Sequence, residues 1–160
     1  MTWAELCEDK RFADLPGKVE LNARGQIIVS PTKNYHGNHA FRIGTLLEKL
    51  MEGGEVVVEC AVETIDGVKE ADCAWMSQIL WNKVKDDYAC SPAPEICVEV
   101  ISPSNSEAEM MYKRELFIKA GAQEYWLCDA EGALRFFDAT SELETSRVCP
   151  RFPKKLPKRP

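Results

Sequence analysis

A chain of 160 residues, 45% hydrophobic and 29% charged with a formal net charge of −6, is long enough to bury one sizeable core and reads as a single domain, residues 1–160. No apolar run approaches the roughly 18 residues of a membrane span, and the N-terminus MTWAELCEDKRF lacks a signal-peptide profile, so the expectation is a soluble, cytoplasmic protein with no membrane partner. The acidic balance argues against attraction of a polyanion by the whole surface, and any nucleic-acid contact must therefore be local.

Along the chain, KVELNARGQIIVS, residues 18–30, predicts a β-hairpin: Val19 and Leu21 alternate, Ile27 to Val29 form an apolar run, and Ala23-Arg24-Gly25 is a turn. After Ser30-Pro31, the residues Ala40, Ile43, Leu46, Leu47 and Leu50 recur at helical spacing and Gly53-Gly54 supplies a stop, predicting a helix over about 36–52. The valine-rich EVVVECAVETI, 55–65, the turn at Asp66-Gly67 and KEADCAWM predict two antiparallel strands. Residues 77–94 show no clean periodicity.

Strand-like PEICVEVI follows, with the strand at 95–101 and a lone carboxylate, Glu99, at its centre. From Ser106 the pattern is helical, with Met110, Leu116, Phe117 and Ala120 on one side and Gly121 as terminator. EYWLCD, 124–129, is the next strand, and its Tyr125 and Trp126 read as core or interface residues rather than base-stacking ones. ALRFFDA reads as an edge strand. The tail SRVCPRFPKKLPKRP has four prolines and six basic residues in fifteen; it reads as irregular from about residue 147, partly disordered, and either solvated or touching phosphate. The seven cysteines form an odd set with no C-x-x-C pair, which suggests reduced, mostly buried thiols rather than disulfides or a zinc knuckle. The order of elements predicts an α/β fold with a mixed sheet.

A carboxylate inside an apolar strand needs a cation, donors or a metal beside it. Asp72 lies in KEADCAWM much as Glu99 lies in ICVEVI, and two carboxylates on neighbouring strands can share a hard divalent ion such as Mg²⁺. The bland alternative is a structural ion pair, with Lys113 laying its stem along a helix face.

From about Val19 to Pro153 the sequence resembles the Uma2 family of restriction-endonuclease-like proteins (DUF820), within the PD-(D/E)xK nuclease superfamily. The matching pieces are VEL, Ser30-Pro31, His36-Gly37 at the first helix, Ala71-Asp72, VEVISPS with Glu99 and Ser102-Pro103, and YKRELFIKAGAQEYWLCD. The resemblance implies a restriction-endonuclease-like core, a mixed β-sheet flanked by helices in the order α-β-β-β-α-β behind an N-terminal hairpin. It implies an endonuclease hydrolysing DNA phosphodiester bonds with Mg²⁺ or Mn²⁺ held by Asp72 and Glu99, and, by analogy, a homodimer. Two departures stand out: Ala71 replaces the superfamily proline, and the in-strand lysine is missing, Ile101 standing two residues after Glu99. The resemblance implies that Lys113, on the following helix, takes over. Helical spacing puts Lys113 in line with Met110, Phe117 and Ala120, whereas Lys119 shares a stripe with Tyr112 and Glu115 and reads as a surface charge. Glu20 is implied as a further acidic ligand or water-positioner, its alternative being a strand-face glutamate paired at the surface. His36 matches the family's histidine at the helix start as a substrate contact, its alternative, shared with His39 on much the same stripe, being to cap the helix or pack against the sheet. Ser102-Pro103 reads as a strand end whose Ser102 is a further candidate phosphate contact. The alternative is a catalytically inactive member kept as a binding or assembly module, which would have no chemical need for all of Asp72, Glu99 and Lys113.

Overall fold

In the computed structural model, which describes residues 1–160, one eight-stranded sheet is covered by helices on both faces. The chain opens with a short helix α1 (Trp3–Glu8) and a 3-10 turn (Lys10–Phe12). The hairpin β1 (Lys18–Leu21) and β2 (Ile27–Ser30) follows, then α2 (Asn34–Leu50), β3 (Glu55–Thr64), β4 (Gly67–Met76) and α3 (Gln78–Val84). The second half holds β5 (Ile96–Val100), α4 (Glu107–Lys119), β6 (Glu124–Cys128), β7 (Leu134–Phe137) and β8 (Glu142–Leu143). The strand path is β2-β1-β4-β5-β6-β7-β8, with β3 paired to β4; all neighbours are antiparallel except β5 and β6.

Parity of the strands separates two cores. Cys97, Tyr125 and Leu127 point to the face covered by α4 through Met110 and Phe117. Ile96, Val98, Val100, Trp126 and Cys128 point to the opposite face, covered by α2 through Ala40, Ile43 and Leu47. Helix α4 starts at a capping box, Ser106 accepting from Glu109 N and Glu109 returning the bond to Ser106 N, which satisfies two orphan donors at once.

The decisive feature is how β4 shares one edge. Strand β3 lines one side of β4 from Glu55↔Met76 to Thr64↔Gly67. The other side is divided: β1 touches only at Leu21↔Val68, and β5 pairs only over Cys73↔Val98 to Trp75↔Ile96. The start of β1 and the end of β5 therefore meet opposite Ala71-Asp72, and the backbone ladder is open there. Gly17, with φ +84, turns the chain into β1; a Cβ there would stand 2.6 Å from the Ser30 carbonyl oxygen, so only glycine delivers Lys18 to this gap without a clash.

Several expectations need correction. The helix read over 36–52 runs Asn34–Leu50. The illegible segment contains α3, capped by Ser77. Strand β7 is not an edge, because β8 pairs along its outer side. The tail is irregular but not disordered: Cys149, Phe152 and Leu156 are buried in the α2-side core, with the Phe152 ring centroid 4.6 Å from that of Trp126. Its prolines break regular pairing, while the apolar residues between them still bury. A buried carboxylate pins its start: Glu124 accepts from Trp126 Nε1 at 2.8 Å, Ser146 Oγ at 2.6 Å, Arg147 N at 2.6 Å and Val148 N at 3.1 Å. All seven cysteines are free, and only Cys7 is exposed.

Candidate functional site

The open stretch of the β4 edge is filled by side chains. Where β5 leaves β4, the Val100 N–H donates to Asp72 Oδ2 at 2.7 Å. Where β1 leaves β4, the Glu70 N–H donates to Glu20 Oε1 at 3.0 Å. Two carboxylates thus take over backbone donors that a continuous ladder would have paired, which answers why charge is tolerated there. Glu99, on the β5 strand just before the split, brings a third carboxylate and is buried.

Three cationic or titratable groups converge on these acids from three directions. Lys18, two residues from Glu20 on the same face of β1, places Nζ 3.1 Å from Asp72 Oδ1, 3.0 and 2.8 Å from the two Glu99 oxygens, and 3.7 Å from Glu20 Oε1. Lys113 descends from α4 to 2.9 Å from Glu20 Oε1 and 3.6 Å from Glu99 Oε1. His36, in the first turn of α2 on the other face of the sheet, sets Nε2 3.1 Å from Asp72 Oδ2. The adjacent Tyr35 hydroxyl donates to the Ile101 carbonyl at 2.8 Å and ties that turn to the end of β5.

Electrostatics separate the two central acids. Burial opposes the Asp72 charge, but Lys18 and then His36 outweigh it and hold the carboxyl well below its usual range. Burial and the Asp72 charge instead push Glu99 up to about 7, against Lys113 and Lys18. Crowded carboxylates behave this way: one keeps its charge and the other relieves the repulsion by taking a proton. Burial opposes the Lys18 charge, yet Glu99, Asp72 and Glu20 keep it firmly protonated. Burial likewise lowers His36, and its bond to Asp72 reverses that and raises it. Glu20 stays below its ordinary value because Lys113 and Lys18 overcome burial.

Of the residues singled out in the sequence, the structure brings Asp72, Glu99, Lys113, Glu20 and His36 together. Ser102 is not among them: its hydroxyl donates to Asn105 Oδ1 at 2.8 Å within its own turn. Lys119 pairs with Glu115 at 2.6 Å on the surface. Lys18 is the residue that sequence reasoning missed. Its signal was present in Lys18-Val19-Glu20, where strand alternation sends positions 18 and 20 to one face.

A cavity of about 320 Å³ opens beside the cluster, lined among others by Lys18, His36, Glu59, Glu70 and Asp72. Glu59, in the β3 strand across from Asp72, has φ 52, a left-handed conformation uncommon for a residue with a Cβ. Burial pushes Glu70 up to about 7.

As the side chains stand, no three His, Cys, Asp or Glu residues form a metal-binding group; the Lys18 ammonium sits where the Asp72 and Glu99 oxygens converge. That ammonium is itself a stand-in cation: oxygens of Asp72 and Glu99 approach one point within 3.1 Å. Hard carboxylate donors around a cation position suit Mg²⁺ or Mn²⁺, so the residues fit such an ion at the Lys18 position.

The chain is similar to a known family and to solved structures. A family model, Uma2, described as "Putative restriction endonuclease", matches residues 9–148. A crystal structure of a "putative nuclease belonging to DUF820" from Anabaena variabilis is similar with a TM-score of 0.72, 15% sequence identity, and coverage of 98% of this chain and 95% of that one; at that identity it speaks to the fold alone. No curated protein matches. No helix is long and apolar enough to cross a membrane.

Proposed function

The chain belongs to the Uma2 family, and from that premise we propose that it is a divalent-metal-dependent endonuclease hydrolysing DNA phosphodiester bonds. The observation that carries this reading is the convergence of Asp72, Glu99, Glu20 and Lys113 at the split edge of β4. Four charged side chains in one buried gap are a costly way to stabilise a fold, since well-packed apolar residues of similar volume often do as well or better.

Asp72 and Glu99 would hold the ion. Bound there, Mg²⁺ or Mn²⁺ supplies charge that polarises a phosphoryl oxygen and lowers the pKa of water. The Val100 N–H and His36 fix the second Asp72 oxygen, leaving Oδ1 directed at the cation position. Glu20 holds the Lys113 ammonium beside Glu99, 2.9 Å and 3.6 Å from the two carboxylates, where its charge would face the charge developing on the phosphate. Being placed before the substrate arrives, these groups need no reorganisation during the reaction. Where the superfamily's in-strand lysine would stand this chain has Ile101, and Lys113 on α4 supplies an ammonium 3.6 Å from Glu99 instead.

The test is nicking of supercoiled plasmid and of single-stranded DNA by purified protein with Mg²⁺ or Mn²⁺, and with EDTA as control. Wild type is expected to cut, and Asp72→Asn and Glu99→Gln to lose the metal-dependent cutting while remaining folded, because each isostere keeps an oxygen for its neighbours. Absence of cutting across metals and DNA forms, or equal cutting by the variants, would replace this reading by that of an inactive binding or assembly module.

A further inference from the structure

The cation position between Asp72 and Glu99 is held by a residue of the chain itself, and this imposes a condition on any metal that binds. Lys18 Nζ lies 2.8–3.1 Å from oxygens of both acids. A divalent ion on the same oxygens would sit within about 3 Å of that ammonium, and two cations at that distance repel strongly in a site this buried. The two are mutually exclusive occupants.

Formal charge points the same way. Even with Glu20, Asp72 and Glu99 all ionised, a divalent ion beside both Lys18 and Lys113 would leave the cluster with an excess positive charge, which the departure of Lys18 removes.

The adjoining cavity offers a place to go. Its lining includes Lys18 itself together with Glu59, Glu70 and Asp72. The ion pairs of Lys18 and Lys113 run to Glu20, Asp72 and Glu99 and do not reach Glu59 or Glu70. Glu70 stands two residues before Asp72 on β4, about 7 Å along the strand, within the sweep of a four-carbon lysine stem. The cavity gives that stem room to turn.

We propose that Lys18 is the resident cation of the carboxylate cluster, that Mg²⁺ or Mn²⁺ binds only by displacing it, and that the displaced ammonium moves to Glu70 and Glu59 in the adjoining cavity. This rests on the metal-dependent reading above. It adds a two-position lysine that neutralises the acids of the metal-free protein and sets the threshold for loading.

The experiment is calorimetric titration of Mn²⁺ into the full chain as wild type, Lys18→Met, Glu70→Gln and the double variant, with circular dichroism as the folding check. Lys18→Met removes the competitor and is expected to bind Mn²⁺ about tenfold more tightly or better, and Glu70→Gln to bind it several-fold more weakly, the span of ordinary coupling energies. In the Lys18→Met background Glu70→Gln is expected to change little, since no ammonium remains to be received; a simple loss of negative charge would weaken binding equally in both backgrounds. If Lys18→Met does not fold, the Glu70→Gln arm and a crystal structure with Mn²⁺ decide, the latter expected to place Lys18 Nζ on Glu70 or Glu59. Binding by Lys18→Met no tighter than wild type, equal Glu70 effects in both backgrounds, or Lys18 still between Asp72 and Glu99 beside the ion would overturn this inference and leave the nuclease reading standing. No Mn²⁺ binding by any folded form would overturn both.

Discussion

Lys113→Met separates what the ammonium does for the fold from what it does for the rate. Methionine keeps most of the apolar stem between Met110 and Phe117 and removes only the charge that lies 2.9 Å from Glu20 and 3.6 Å from Glu99. At an effective dielectric near 20 the nearer contact has a gross Coulomb energy of about 6 kcal/mol. Desolvation cancels most of it: the Lys113 side chain keeps 17% of its surface exposed, and Lys18 remains 3.7 Å from the same Glu20 oxygen. A net loss of about 2 kcal/mol is expected, below the 3–5 kcal/mol of a fully buried broken pair, and it corresponds to a fall in Tm of about 6 °C for a chain of this size. The nicking rate should fall on the order of 100- to 1,000-fold, the usual cost of losing a positioned electrostatic group. Mn²⁺ binding should survive because Asp72 and Glu99 are intact, and Lys113→Arg should restore stability more fully than rate, since a planar guanidinium cannot reproduce the ammonium's position. Plasmid nicking, thermal unfolding and calorimetry on the same preparations decide it. A folded Lys113→Met that nicks within fivefold of wild type would refute the assignment.

Glu124→Ala should cost about 3–5 kcal/mol, because the buried Trp126 Nε1–H and two tail amides lose a charged acceptor; hydrogen exchange should show residues 146–156 losing protection, and unchanged protection would count against Glu124 as the anchor of the tail. Tyr125→Phe should stabilise the protein by about 1 kcal/mol in urea unfolding, since the Tyr125 hydroxyl is buried without a hydrogen-bond partner and leaving such a group unsatisfied is unfavourable; a destabilised variant would show that the hydroxyl has a partner after all. Asp138 is held down to about 2 by the amides of Thr140 and Ser141. Its folded value lies below the unfolded one of about 3.9, so its stabilisation of the β7–β8 turn is complete above that value and is lost as pH falls towards 2. An NMR titration of its carboxyl carbon should show the low midpoint, and a midpoint near 4 would contradict the turn bonding.

Periodicity within single elements carried most of the fold. The β1–β2 hairpin, α2, the β3–β4 pair, β5, α4 and β6 are each declared by alternation, helical spacing or a glycine stop within one short stretch of chain, and local backbone preference decides such patterns before any tertiary contact forms. Asp72 and Glu99 were legible because a charge inside an apolar strand pattern stands out, and Lys113 through the resemblance of its helix to the family's. Lys18 was not, since a lysine opening a strand looks like any solvated charge until its partners, 54 and 81 residues away, are folded against it. The same holds for Glu124, the first residue of β6, and for Phe152 and Leu156 in a tail whose prolines suggested disorder. Where the ladders stop is set by strand pairing across the whole chain: β1 and β5 share one edge of β4, and the gap between them turns ordinary strand positions into a buried charged cluster. No local propensity encodes that gap, because it depends on how three strands from different parts of the chain divide a single row of backbone donors and acceptors.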